Sequence, residues 1–271
     1  MIIKDINQIK ISTLSKELDE FKILHLSDLH INKKTNLKEM KDLIDTCNKL
    51  TYDVAVITGD IIDCKVEFII KQINIIGQLK GKVYYISGNH DLFYGLNQLN
   101  KILSKYKNIV FIDNKIDFIE YNKSKIYFAG ISDRFSKFFK HNRDEQSVLN
   151  LLEDKKLKIF LAHQPKDYKL AVKSNSNLFL CGHTHGGQIW PFHYLVKLVQ
   201  PFLNGLYKID NCSIYVNKGI GTWGVDYRYK ANSEIALLRF KYENSDNWRW
   251  WKNHKFFEKR FTRRVLHSWL F

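Results

Sequence analysis

The stretch Val54-Ala-Val-Ile-Thr-Gly-Asp60 begins with a run of apolar residues and ends abruptly in a threonine, a glycine and a carboxylate. A short apolar run bounded by a turn residue is typical of a strand that is buried on both faces of a sheet. A carboxylate directly after such a strand lies at its carboxyl end, where open α/β sheets bind their ligands. The stretch therefore predicts a central strand that delivers Asp60 to a site at one sheet edge.

The same arrangement recurs along the chain, because several other apolar runs end in Asp, Asn or His, often beside glycine. The polar residues and the predicted strands before them are Asp28 and His30 after residues 21–26, Asn89 and His90 after 82–87, His163 after 157–162, and His183 and His185 after 177–181. Segments with helical spacing separate the early strands, whereas the second half is richer in strands. The sequence thus predicts an α/β protein with a layered sheet core, in which these strand ends converge.

These side chains share the chemistry of metal ligands. Asp carboxylates, the Asn carbonyl and neutral His nitrogens bind divalent cations, and a set without thiolate suits Mn, Fe or Zn. The candidate ligands are Asp28, His30, Asp60, Asn89, His163, His183 and His185. They exceed what one tetrahedral site uses, which favours two metal ions, and the Asp60 carboxylate has two oxygens with which to bridge them. Gly59, Gly88 and Gly182 are expected to allow positive φ or a close approach of the chain to this cluster.

Length and composition predict the domain organisation. The 271 residues are 45% hydrophobic and contain no linker-like stretch, which predicts one catalytic domain, residues 1–246, and a C-terminal segment, residues 247–271. The four cysteines form no CxxC pair, and neither a secretory signal nor a membrane-spanning run is visible. The sequence therefore predicts a cytoplasmic protein with reduced thiols.

The formal net charge of +15 favours an anionic partner: a phosphorylated substrate, nucleic acid or an acidic membrane surface. For residues 1–246, the heavy use of lysine throughout the chain is an equally good explanation. Residues 247–271 combine basic residues with a helical stripe of Phe257, Phe261, Val265 and Trp269. Such a segment predicts peripheral attachment to the inner face of an anionic membrane. The alternatives are a helix that docks on the domain and a stacking surface for single-stranded nucleic acid.

The ordered motifs resemble the calcineurin-like metallophosphoesterase superfamily. Its pattern of D-x-H, GD, GNH[DE], a lone H and GH-x-H is met in order by Asp28 to His30, Gly59-Asp60, Gly88 to Asp91, His163 and Gly182 to His185. The stretches Ala162-His-Gln-Pro-Lys and Gly182-His-Thr-His-Gly-Gly-Gln-Ile-Trp-Pro-Phe are similar to a bacterial branch whose members are often membrane-associated phosphohydrolases. The resemblance extends from about residue 20 to residue 240.

This resemblance implies a four-layer αββα sandwich of two mixed β-sheets flanked by helices, with the site at one edge of the sheets. The implied metal roles are Asp28, His30 and His185 at one ion, Asn89, His163 and His183 at the other, and Asp60 as the bridge. The resemblance also pairs His90 with Asp63 as a catalytic dyad that binds the phosphoryl group and protonates the leaving oxygen. The attacking group would be a hydroxide held between the two metal ions.

The implied function is a metal-dependent phosphohydrolase that cleaves a phosphoester or pyrophosphate bond, on a lipid-linked or nucleotide-sugar substrate such as UDP-2,3-diacylglucosamine. A metal-dependent nuclease and a non-catalytic scaffold with the same fold are the alternatives, although every ligand position is filled in this chain.

One motif departs from the branch, whose members carry W-G-P-P-x-R where this chain has Trp223-Gly-Val-Asp-Tyr-Arg228. Arg228 falls at the matching position and is predicted to bind a substrate phosphate or sugar, because a guanidinium offers a bidentate fork. A salt bridge from Arg228 to Asp226 or Glu234 is the alternative.

Overall fold

The computed structural model describes residues 5–13 and 15–243, so the predicted C-terminal segment 247–271 lies outside the described residues. The strands are β1 (Asp5–Thr13), β2 (Lys22–Leu26), β3 (Val54–Ile57), β4 (Lys82–Tyr85), β5 (Ile109–Phe111), β6 (Lys115–Tyr121), β7 (Ser124–Gly130), β8 (Leu157–Leu161), β9 (Leu178–Cys181), β10 (Gly205–Ile209), β11 (Cys212–Val216) and β12 (Glu234–Tyr242). The helices are α1 (Leu37–Lys49), α2 (Ile70–Ile76), α3 (Asn89–Tyr94), α4 (Leu96–Leu103), α5 (Glu145–Leu152), α6 (Tyr168–Lys173) and α7 (His193–Val199).

The strands form two mixed sheets. The first has the order β1-β12-β2-β3-β4-β5, in which β2 to β5 are parallel and β12 runs antiparallel to β2. The second has the order β10-β11-β9-β8-β7-β6, in which the four inner strands are parallel and the two edge strands antiparallel to their neighbours. The parallel strands of each sheet therefore end at one common edge, as the motif pattern predicted.

A buried apolar layer holds the two sheets together. Successive side chains of a strand point to opposite faces, and Val54 and Val56 of β3 accordingly face this layer while Ala55 and Ile57 face the other side of the sheet. Between the sheets the rings of Tyr84 and Phe128 are stacked, with their centroids 4.7 Å apart. This layer explains why the strands read as continuous apolar runs, since both faces of each central strand are buried.

Helices cover the outer face of each sheet. On the first sheet α1, α2 and α4 pack over a second apolar cluster, and on the second sheet α5 and α6 pack over a third. Helix α1 illustrates the cause, because Met40, Leu43, Ile44 and Cys47 recur at helical spacing on its buried face. The predicted αββα sandwich is thus confirmed.

Helix α7 differs from the other described helices, because none of its residues is buried.

Among the described residues, no helix combines the length and the apolar character that crossing a bilayer requires.

We expect Phe128→Ala to lower the free energy of unfolding by about 3–5 kcal/mol, because it opens a cavity between the two sheets. Urea unfolding followed by circular dichroism measures this loss. The control is Phe118→Ala on the neighbouring strand β6, where the side chain is 39% exposed and the expected loss is about 1 kcal/mol or less. Equal losses for the two variants would contradict the sandwich packing.

Candidate metal centre

The structure brings all seven predicted ligand residues to the common edge of the two sheets. The first sheet contributes Asp28 and His30 after β2, Asp60 after β3 and Asn89 after β4, and the second contributes His163 after β8 and His183 and His185 after β9. Carboxyl ends of parallel strands meet at one edge, so residues far apart in sequence are neighbours here.

One cluster consists of Asp28, His30 and His185, which are all buried. The Nε2 atoms of the two histidines lie 3.0 Å apart, and Oδ1 of Asp28 lies 3.3 Å from Nε2 of His185. Burial lowers the pKa of His185 to about 4, despite the opposing charge of Asp28, so that imidazole is neutral at pH 7. The neutral imidazole of His185, the ring of His30 and a carboxylate oxygen of Asp28 thus point at one small volume.

The other cluster consists of Asp60, His163 and His183. Nε2 of His163 lies 3.2 Å from Oδ2 of Asp60 and 3.1 Å from Nδ1 of His183. Nδ1 of His163 lies 2.7 Å from the carbonyl oxygen of Thr58 and donates to it, which leaves Nε2 turned towards the cluster. Oδ2 of Asp60 is also 3.6 Å from Nε2 of His30, so this carboxylate lies between the two clusters.

The charges of these clusters favour cations. Burial opposes charge on His163, yet the carboxylates of Asp60 and Asp28 raise its pKa well above the ordinary value. The side-chain oxygen of Asn89 is buried and has no hydrogen-bond partner, although buried polar atoms ordinarily have one. Converging oxygen and nitrogen acceptors, with one oxygen left unpartnered, fit divalent cations with mixed N/O coordination.

Backbone strain is concentrated at the same residues. Positive φ angles occur at Asp28 (51°), His30 (46°), Asp60 (52°), His183 (71°) and His185 (50°). A left-handed backbone costs a residue other than glycine about 1–3 kcal/mol and persists only where the surroundings enforce it. The sequence predicted such freedom for glycines alone, whereas here the candidate ligands themselves adopt it.

The glycines have the predicted close approach. A Cβ on Gly88 would overlap Oδ1 of Asp60, and a Cβ on Gly182 would overlap the side chains of Ser27 and Asp28. Both positions therefore require glycine because the loops of the two sheets pass within contact distance of the carboxylates.

Asp91 positions two loops of the site, a role that was not predicted from the sequence. Its Oδ1 accepts the backbone N–H groups of Ile61 and Ile62 at 2.8 and 3.1 Å, and its Oδ2 accepts that of Gly88 at 2.9 Å. Burial and the neighbouring charge of Asp60 raise the pKa of Asp91 to about 7. Asp91 thereby joins the loop after β3 to the loop after β4. Its position in the Gly88-Asn-His-Asp motif is the sequence feature from which a role at the site could have been predicted.

The structure places the predicted dyad together at the mouth of the site. Nδ1 of His90 lies 2.6 Å from Oδ1 of Asp63. Burial by itself lowers the pKa of His90, but the hydrogen bond with Asp63 and the charge of Asp60 outweigh it and raise that pKa above its ordinary value. A carboxylate at this position also fixes the orientation of the imidazole ring.

Arg228 is held away from the cavity by the backbone. Its guanidinium donates to carbonyl oxygens of Gly221, Lys218 and Ala231. It also lies 2.9 Å from Nδ1 of His185, so it fixes that ring. The alternative was a salt bridge to Asp226 or Glu234. Among the described residues, Asp226 pairs with Lys34 at 2.7 Å, and Glu234 accepts hydrogen bonds from Asn7 and from the backbone N–H of Lys218. Substrate binding by Arg228 stays a prediction.

A cavity of about 710 Å³ opens directly over the two clusters. Its polar side is formed by His30, Asp60, Asn89, His90, His183 and His185. Its apolar side is formed by Ile189, Phe192, Leu195, Val196, Val199, Trp223 and Val225, from α7 and its surroundings. These apolar residues belong to no predicted ligand motif, although residues 189–199 are mostly apolar and contain no acidic residue.

Comparisons with known proteins agree with this geometry. An uncharacterized metallophosphoesterase of Campylobacter jejuni is 34% identical over 241 residues, which are 86% of this chain and 62% of that protein. The chain therefore spans less than two thirds of that relative's length. An uncharacterized metallophosphoesterase of Bacillus subtilis is 30% identical, over 87% of this chain and 84% of that protein.

A solved structure shows the same fold. The 5'-nucleotidase precursor of Thermus thermophilus superposes with a TM-score of 0.52 at 12% identity, over 81% of this chain and 54% of that chain. The family model of the calcineurin-like phosphoesterases matches residues 21–187, which include both clusters and the His90–Asp63 pair. The chain belongs to the calcineurin-like phosphoesterase family.

Proposed function

We propose that this chain is a dinuclear metal-dependent phosphohydrolase that cleaves a phosphoester or pyrophosphate bond. The proposal rests on two donor clusters that meet at Asp60, on the floor of one cavity. The family uses a dinuclear metal centre, and the donors of this chain fit one.

The proposed ligand roles follow the two clusters. Asp28, His30 and His185 would hold one ion, Asn89, His163 and His183 would hold the other, and the Asp60 carboxylate would be shared between them. Mn, Fe and Zn all suit this ligand set. Such ions would supply charge neutralisation at the phosphoryl oxygens and would lower the pKa of a water.

His90 and Asp63 are the proposed catalytic dyad. His90 lines the cavity beside both clusters, where a phosphoryl group would lie. Its imidazolium, held by Asp63, donates a hydrogen bond to that group and then a proton to the leaving oxygen. Arg228 contacts the His185 ring and so positions one ligand of the site formed by Asp28, His30 and His185. A contact between Arg228 and the substrate is a separate proposal.

The apolar side of the cavity supports a substrate with an apolar part. A lipid-linked or nucleotide-sugar substrate fits this shape, and UDP-2,3-diacylglucosamine is one specific compound to test.

A nuclease is the second catalytic candidate, and degradation of oligonucleotides with Mn distinguishes it. A screen of esters, diesters, nucleotide sugars and phospholipids against Mn, Fe, Zn and Mg tests the whole proposal. Failure to hydrolyse bis(p-nitrophenyl) phosphate and p-nitrophenyl phosphate with every metal would instead favour the non-catalytic scaffold.

We also propose that residues 1–246 form the catalytic domain and that residues 247–271 attach it to the inner face of an anionic membrane. The support comes from sequence, because the segment combines basic and aromatic residues. Liposome flotation of the chain with and without residues 247–271 tests this attachment. No lipid binding by the full chain would exclude it.

We expect Asp60→Asn to lose metal from both sites, because the variant removes the charge that the two clusters share. Metal analysis of the purified protein should fall from about two ions per chain to less than one. Asp113→Asn is the matched control, since Asp113 is equally buried and bonds to Ser87 and His141 outside the clusters. Unchanged metal content in Asp60→Asn would show that the ligand assignment is wrong.

We expect His90→Ala to lower turnover of bis(p-nitrophenyl) phosphate by about 10²–10⁴-fold, because the acid catalyst is lost. Metal content should be retained, since the ligand clusters are complete without this ring. His141→Ala is the matched control, because His141 forms a similar pair with Asp113 at 3.0 Å outside the cavity. Full turnover of His90→Ala across the pH range would exclude the proposed role.

A further inference from the structure

One wall of the cavity mouth is an exposed apolar surface that we call the α7 rim. It consists of Trp190, Phe192, Tyr194, Leu195, Leu198 and Val199, which are all exposed. Leu198 is 82% exposed, so most of its apolar side chain lies in water. An apolar patch of this kind marks an interaction surface.

A second exposed apolar surface lies next to the proposed catalytic dyad, and we call it the aromatic rim. It consists of Phe93, Phe135, Phe138 and Phe139, which are exposed and in ring contact with one another. The rim begins at the proposed catalytic dyad, because the ring centroids of His90 and Phe93 are 5.6 Å apart. Phe138, at its outer end, is 67% exposed. Two exposed apolar surfaces thus adjoin the site, the α7 rim along the cavity and the aromatic rim beside His90.

The two chain segments that carry most of the rim residues contain basic but no acidic residues. Residues 134–143 and 168–209 contain no Asp or Glu. Nζ of Lys137 lies 4.9 Å from the Phe138 ring centre, and Nζ of Lys230 lies 4.8 Å from that of Trp190. Lysines next to aromatic rings place their charge at the level of lipid headgroups while the rings enter the apolar boundary. This combination favours an anionic bilayer over a protein partner with an acidic surface.

We propose that the α7 rim and the aromatic rim dock on an anionic lipid bilayer, with the cavity mouth facing the headgroups. The inference rests on the proposed function and names its substrate class, a phosphoester carried by a membrane amphiphile. Its phosphate enters between the rims, and the apolar side of the cavity receives the first part of its hydrocarbon chain.

Fluorescent probes test the contact directly in the full chain. Leu198→Cys and Phe138→Cys each receive an environment-sensitive label, in a Cys64→Ser background because the other three cysteines are buried. On phosphatidylcholine vesicles that contain phosphatidylglycerol, both probes should shift to the blue and be quenched by nitroxide lipids. A label at Leu151→Cys, on an exposed position near the end of α5 and before the amino end of β8, should stay in water.

Three outcomes of the probe experiment would overturn the docking proposal. The labels at positions 198 and 138 remain in water on vesicles that bind the chain, the chain fails to bind vesicles at all, or the labels are already shielded without lipid. The last outcome would indicate that residues 244–271 or a second copy covers the rims.

An activity measurement separates the docking surface from the chemistry. Leu198 lies outside the cavity lining, so Leu198→Asp should leave hydrolysis of soluble bis(p-nitrophenyl) phosphate unchanged. The same variant should lower hydrolysis of hexadecyl p-nitrophenyl phosphate in vesicles by about tenfold or more, because a buried leucine is lost from the bilayer contact. Leu151→Asp, the matched control near the end of α5, should change neither rate.

The two proposals fail in different ways. Absence of bis(p-nitrophenyl) phosphate hydrolysis with every metal would overturn the proposed function. Hydrolysis of the soluble ester together with an unchanged vesicle rate in Leu198→Asp would overturn the docking surface alone.

Discussion

The carboxylate of Asp60 lies 3.2 Å from Nε2 of His163 and 3.6 Å from Nε2 of His30, and so it touches both donor clusters at once. Acceptor atoms packed this closely repel one another unless positive charge lies between them. Five of the candidate ligands also have a left-handed backbone. Two nearby cations would offset both costs, which is why metal binding is the constraint on which the rest of the site depends.

The sandwich enforces this crowding. Two sheets must end at the same edge for residues after β3 and β8 to meet, and the buried layer between the sheets fixes their separation. Asp91 then joins two of the loops through three backbone hydrogen bonds. Glycine at positions 88 and 182 lets the loops approach without steric overlap. Geometry at the metal centre is therefore a product of the whole fold.

The cavity couples this polar floor to an apolar surface. Metal centres for soluble phosphate esters do not require apolar walls, yet here α7 and the aromatic rim place exposed Leu, Trp and Phe side chains around the mouth. Burying such residues is favourable only where another apolar phase meets them. The proposed docking on a lipid surface accounts for both features with one arrangement.

Much of this protein follows from its sequence, because strand periodicity and strand-end chemistry are local. The apolar runs before Asp28, Asp60, Asn89, His163 and His183 predict the central strands, and the order of these motifs predicts the family and the pairing of His90 with Asp63. Edge strands such as β1 and β10 were not predicted, because half-exposed strands lack a continuous apolar run. Three features came only from the tertiary structure: the left-handed ligand backbones, the hydrogen bonds from Arg228 to backbone carbonyls, and the two exposed apolar rims. Each of them depends on contacts between residues that are far apart in the chain, which no local pattern encodes.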